Sequence, residues 1–328
     1  MNKIRLLMVM LGAATLSQAL IAAEPNRYAN AGYAGPEGTV ALLLKADTNA
    51  VEAQSLFGQL FARHDDFETV VELLEEAAEA DDAGALPHLR FAQASCQLAN
   101  HPDTGMLSKP GLASDCRASF EQASKLDPKL LPAWQGLFDY YRMAPAIAGG
   151  DVDKARAIIG KIAVLDPAEA ELAKATLAAM DEQIDQMRSH FAKAAELKPT
   201  EAESYRFREA LALMRFNQFE PAYAVLQSLQ ASSEPAMATQ VQYQLGRIAV
   251  LASKADWYAD AERQLQAYLA RTDLTSDMPA KSWAAFRLGQ VYELMGKAEL
   301  SRKQYLWAAS QQPDELLKAE LKKKGIKA

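Results

Sequence analysis

The stretch FRLGQVYELMGKAELSRKQYLWAASQQP, Phe286 to Pro313, decides how the rest of the chain is read. Gly289 and Tyr292 lie about one helical turn apart. Gly296 follows where a turn is needed, and Ser301, Tyr305 and Ala308 then recur at helical spacing before Pro313 closes the stretch. The pattern predicts two antiparallel helices. Small residues let such helices approach closely, and aromatic side chains fill the space between them. Proline is tolerated in the first turn of a helix and not in its interior, so it marks where the next unit begins.

The same frame recurs along the chain. Gly58, Phe61, Asp65, Phe67, Val70, Leu74 and Ala77 fall in register, with Asp82 where proline would stand. Ala210, Leu213, Asn217, Phe219, Ala222, Leu226 and Leu229 do the same, as do Leu245, Gly246, Ala261, Leu265 and Tyr268. Three further second helices end in LDP or LKP: Phe120, Ala123 and Pro128; Ile159, Ile162 and Pro167; Phe191, Ala194 and Pro199. Together they make about seven units between Ala50 and Pro313, near a period of about 34 residues. This frame resembles that of the tetratricopeptide repeat. The resemblance covers about four fifths of the chain. It implies an all-α, right-handed superhelical solenoid of antiparallel helix pairs, each burying its apolar face against its neighbours. The frame is broken in three places: a stretched turn at Ala144–Asp151, a weak first helix after Ala168, and an enlarged second unit.

The ends differ from the repeat region. Residues 1–23 read as a cleavable secretory signal, with Lys3 and Arg5, an apolar run from Leu6 to Leu20, then Ala19, Ala22 and Ala23. Residues 24–49 are rich in Gly, Ala, Asn and Pro, with a short capping helix expected at Thr39–Ala46. The solenoid is expected over 50–315, and 316–328 reads as a solvated basic helix end carrying Lys322, Lys323, Lys324 and Lys327. No second stretch is apolar enough to span a bilayer, so a periplasmic protein without stable membrane insertion is expected. The formal net charge of −7 argues against general nucleic-acid binding.

Residues 96–116, CQLANHPDTGMLSKPGLASDC, hold both cysteines and one of the four histidines. In an exported chain, Cys96 and Cys116 are expected to form a disulfide across one helical hairpin. Cys96 is placed near the end of the unit's first helix and Cys116 at the start of its second. The competing reading is a metal-binding accessory protein or enzyme using His88, Cys96, His101 and Cys116. Structural zinc ligands usually come in short pairs, and these spacings are wide and irregular. The tripeptide His101-Pro102-Asp103 resembles the J-domain signature, but it lacks the basic helix before it and is read as coincidence. Gly149-Gly150 lacks the lysine and the preceding strand of a phosphate loop. No catalytic residue, metal ligand or cofactor site is assigned, and no enzyme is expected.

What remains is a binding surface. The resemblance implies a groove lined by the first helix of each unit. The register places Phe207, Leu211, Met214 and Arg215 there, then Tyr243 and Arg247, then Trp283, Phe286 and Gln290. Aromatic and arginine side chains are enriched at binding hot spots. The alternative is that these side chains pack against neighbouring helices. The lysine–asparagine clamp of chaperone-binding relatives is absent at Ser55, Gln59, Phe207 and Leu211. The expected function is a non-catalytic scaffold that binds a protein or peptide partner, in envelope or secretion-system assembly. A homodimer is a third reading.

Overall fold

The computed structural model describes residues 33–45, 50–274 and 278–327, and among them every regular element is helical. The leader at 1–23 lies outside the described residues, as does most of the segment 24–49. The chain forms two compact units that meet in sequence between Ala173 and Lys174. No described helix is long and apolar enough to cross a membrane.

The first unit runs through α1 (Gly35–Leu43), α2 (Ala50–Phe61), α3 (His64–Glu79), α4 (Ala85–Asn100), α5 (Lys109–Leu126), α6 (Leu131–Met143) and α7 (Val152–Leu165). It ends within α8 (Pro167–Met180). Consecutive helices pack as the pairs α2–α3, α4–α5 and α6–α7. The apolar stripe explains why. In α3, Phe67, Val70, Val71, Leu74 and Ala78 are buried at the spacing of one helix face. They share a core with Phe57, Leu60 and Leu43. Through Leu43, α1 covers the open side of the first pair. It begins four residues earlier than Thr39, because Pro36 suits a first helical turn.

Two turns in this unit decide local questions. Gly149 takes a φ of 89°, and a Cβ on Gly150 would meet the Ala144 carbonyl oxygen at 1.7 Å. The two glycines therefore let the chain double back, and Asp151 caps α7 by accepting from the amides of Asp153 and Lys154. The second turn corrects the sequence reading. Helix α5 begins at Lys109, seven residues before Cys116, and not at Cys116 itself. Pro110 sits in its first turn, where the missing N–H costs nothing. Much of the extra length of this repeat therefore lengthens the helix, and the turn is confined to 101–108.

The second unit contains α9 (Ile184–Leu197), α10 (Ala202–Arg215), α11 (Phe219–Ser228), α12 (Pro235–Ala252) and α13 (Tyr258–Ala270). After them come α14 (Lys281–Leu294), α15 (Ala298–Ser310) and α16 (Glu315–Lys323). The pairs are α10–α11, α12–α13 and α14–α15, and the first helices α10, α12 and α14 also touch in succession. Close approach within α12–α13 and α14–α15 needs glycine. A Cβ on Gly246 would lie 2.2 Å from Leu265, and one on Gly289 would lie 2.6 Å from Tyr305. The basic end is not a fraying tail: Leu317, Leu321 and Ile326 are buried, Asp314 caps α16, and Lys324 pairs with Glu293 at 2.7 Å.

Candidate functional site: the first-helix face of the second unit

The residues expected to line a groove divide by chemistry. Phe207, Leu211, Met214, Tyr243, Trp283 and Phe286 are buried. Trp283 is 8 % exposed, Tyr243 6 % and Phe286 1 %. Phe286 packs on Tyr305 with ring centroids 5.3 Å apart, and Tyr243 packs on Tyr268 at 5.6 Å. Trp283 meets Phe286 edge-on at 5.9 Å, and its indole N–H donates to Asp314 Oδ2 at 2.8 Å. These rings cement the helix pairs and anchor α16. They do not form an exposed aromatic groove, which corrects that expectation. The physical reason is that a repeat helix packs on its own partner and on the next unit's first helix, so most of its circumference is covered.

Arg215, Arg247 and Gln290 behave differently. Arg215 is exposed, and the other two are half-buried. Their neighbours Arg208, Gln244 and Arg287 complete a polar set that the sequence reading passed over. The signal was present: Arg208 and Arg287 stand two residues before the close-packing positions Ala210 and Gly289, and Arg247 stands one after Gly246.

On α12, Arg247 donates to Gln244 Oε1 at 3.2 Å; on α14, Arg287 donates to Gln290 Oε1 at 2.8 Å. Each bond spans three residues of one helix, so each arginine is braced sideways by a neutral amide. The Arg287 guanidinium also lies 5.4 Å from the Trp283 ring centroid and 5.8 Å from that of Phe286. Burial, with Arg287 close by, pushes the Arg247 guanidinium below its ordinary range. The Nε atoms of Arg208 and Arg287 are buried without a hydrogen-bond partner.

The stapled hairpin of the first unit is the other candidate. Cys96 on α4 and Cys116 on α5 are joined, with Cα atoms 5.2 Å apart. Their sulfurs are spent on one another, so neither serves as a thiolate ligand. His101 is buried, and both ring nitrogens are engaged. The Asp103 amide donates to Nδ1 at 3.1 Å, which leaves the proton on Nε2 to donate to the Phe61 carbonyl at 3.0 Å. The Thr104 hydroxyl donates to the Leu98 carbonyl at 2.7 Å and accepts from His64 Nε2 at 3.1 Å. His101-Pro102-Asp103 therefore acts as an internal tie between the turn and the preceding pair. At the tip of the turn, Met106 and Leu107 are 80 % and 97 % exposed.

No protein-family model matches the chain, and no curated protein matches it. Solved structures do. PilW, a widely conserved type IV pilus biogenesis factor, aligns with 70 % of this chain and 98 % of its own, at 21 % identity and a TM-score of 0.47. A monomeric mutant of IFIT1 with the capped RNA m7Gppp-AAAA aligns with 88 % of this chain at 14 % identity and a TM-score of 0.51. This chain spans 62 % of that IFIT1 chain. The human IFIT1 dimer with PPP-AAAA aligns with 80 % of this chain and 73 % of its own, at 16 % identity and a TM-score of 0.32. At such identities the likeness is one of fold. With the residue frame and the helix pairs that fill it, this chain has a tetratricopeptide-like, all-α repeat fold.

Proposed function

We propose that the protein is an exported, non-catalytic interaction scaffold that holds a segment of a partner protein on the first-helix face of its second unit. One observation carries the reading. The contacting helices α10, α12 and α14 bring Arg208, Arg247, Arg287 and Gln290 onto neighbouring positions, with N–H groups unspent on the protein's own carboxylates. Buried polar groups are usually satisfied, and leftover donors are a reason to expect a ligand. Rigid helices hold such groups at low entropic cost, which favours binding by preorganisation. Export is supported by the signal-like N-terminal sequence and by the disulfide, since disulfides persist in oxidising compartments.

Photo-crosslinking in cells tests this. A benzoylphenylalanine at Arg215 or Gln290 is expected to trap a protein adduct, whereas one at Gly160, exposed on α7, is not. Equal labelling from all three positions, or none, would refute the reading.

A further inference from the structure

The arginines elsewhere in this chain are commonly paired. Arg142 reaches Asp139 at 2.7 Å, Arg188 reaches Glu209 at 3.0 Å and Arg271 reaches Asp273 at 2.7 Å. Carboxylates are not scarce, since Asp and Glu number 42 against 35 Lys and Arg. Yet Arg208, Arg247 and Arg287 form no ion pair among the described residues. Arg247 is the single charged side chain of α12, an 18-residue helix. Its hydrogen bond, like that of Arg287, goes to a neutral glutamine.

Two partly desolvated guanidinium groups close enough to repel one another are an unfavourable arrangement unless something negative joins them. A planar guanidinium presents parallel N–H groups that match the two oxygens of a carboxylate or the oxygens of a phosphate. The surroundings choose between these. Recognition of single-stranded nucleic acid combines positive charge with exposed aromatic rings on which bases stack. Here Phe207, Tyr243, Trp283 and Phe286 are buried in the helix pairs, so these rings offer no stacking platform on this face. The chain is also net negative, which opposes a polyanion at range while leaving a local contact intact.

We infer that the face formed by α10, α12 and α14 recognises the side-chain carboxylates of an acidic protein segment, with Arg247 and Arg287 as the bidentate pair and Arg208 beside them. This rests on the reading of that face as a protein-binding surface and adds the chemistry of the segment it takes. The partner's Asp or Glu residues then supply the countercharge that the chain itself withholds. Gln244 and Gln290 hold the two guanidinium planes in place beforehand.

The test uses the mature protein and three probes: acetylated, amidated hexaglutamate, the corresponding hexaglutamine, and single-stranded oligoadenylate. Fluorescence anisotropy is expected to show saturable binding of hexaglutamate that weakens with added salt, and none of hexaglutamine. The double variant Arg247→Gln/Arg287→Gln should bind on the order of tenfold or more weakly, while Arg302→Gln, exposed on α15, should bind as the parent does. Should the glutamine pair fail to fold, Arg247→Lys/Arg287→Lys keeps the charge and loses the bidentate geometry, and should still bind several-fold more weakly. Hexaglutamate binding that is absent, or unchanged in the variants, overturns the inference, and so does tighter binding of oligoadenylate. Crosslinks from Gln290 to a protein, with no hexaglutamate binding, would leave the scaffold standing and remove the acidic segment.

Discussion

At the turns between first and second helices, single residues take left-handed backbone angles. Gly296 has φ 72°, and Glu182, Asn217 and Ser253 occupy the corresponding turns at 56°, 56° and 49°. The closure is shared: Gln183, Gln218 and Lys297 each donate their amide to a carbonyl five residues back. A side chain in this region costs about 1–2 kcal/mol, which glycine avoids. Glu182→Gly is therefore expected to stabilise the second unit by about 0.5–1 kcal/mol after the unfolded-state cost, read from the urea midpoint. Tyrosines make the second prediction at this scale. Burial, then the carboxylates of Glu121 and Asp260 that accept their hydroxyl protons at 2.7 and 2.9 Å, push Tyr141 and Tyr223 up to about 12. An unfolded tyrosine ionises near pH 10. The native state thus holds more protons than the unfolded state between about pH 10 and 12, so this stabilisation is complete below pH 10 and lost as pH rises through that window. Urea midpoints at pH 9, 10 and 11 should fall, and Tyr223→Phe should reduce the fall.

Among elements, glycine has opposite meanings in two helices. A Cβ at Gly289 would meet the Tyr305 ring at 2.6 Å, whereas at Gly160 nothing lies within 4 Å. Gly289→Ala should destabilise by about 1–3 kcal/mol through overpacking. Gly160→Ala should stabilise by about 1 kcal/mol through helix propensity. Thermal unfolding of the two variants gives opposite shifts. Phe286→Ala should cost about 3–5 kcal/mol, as for any large buried ring, with loss of folded protein rather than selective loss of binding. The staple between α4 and α5 closes a loop of sequence separation 20. Its reduction should remove about 3 kcal/mol in the chain-entropy picture, measured as the difference in urea stability with and without reductant. The helices and their pairing were legible from Phe67, Val70 and Leu74 or from Gly289 and Tyr305, because their spacing repeats a physical period. The start of α5 was not, because the seven residues ahead of Cys116 look like a loop until tertiary contacts extend the helix through them.

At the scale of the molecule, each helix pair within a unit contacts mainly its neighbours, so stability inside each unit is close to one-dimensional. Reduction of the Cys96–Cys116 bond should raise amide exchange most in α3 to α6 and leave α12 to α15 protected, as hydrogen exchange can show. Uniform loss across the chain would contradict that picture. The period of small and aromatic residues by itself determined the all-α class and the helix pairs, since a recurring 3.6-residue stripe admits few packings. Tertiary structure alone decided which side of each first helix stays accessible. Trp283 and Phe286 look like binding residues in isolation, yet they are consumed by Asp314 and Tyr305. Arg247 and Arg287 look like ordinary surface charge, yet they lie close together, each bonded to a glutamine and neither ion-paired among the described residues. That distinction depends on which helix lies against which, and no spacing within one helix encodes it.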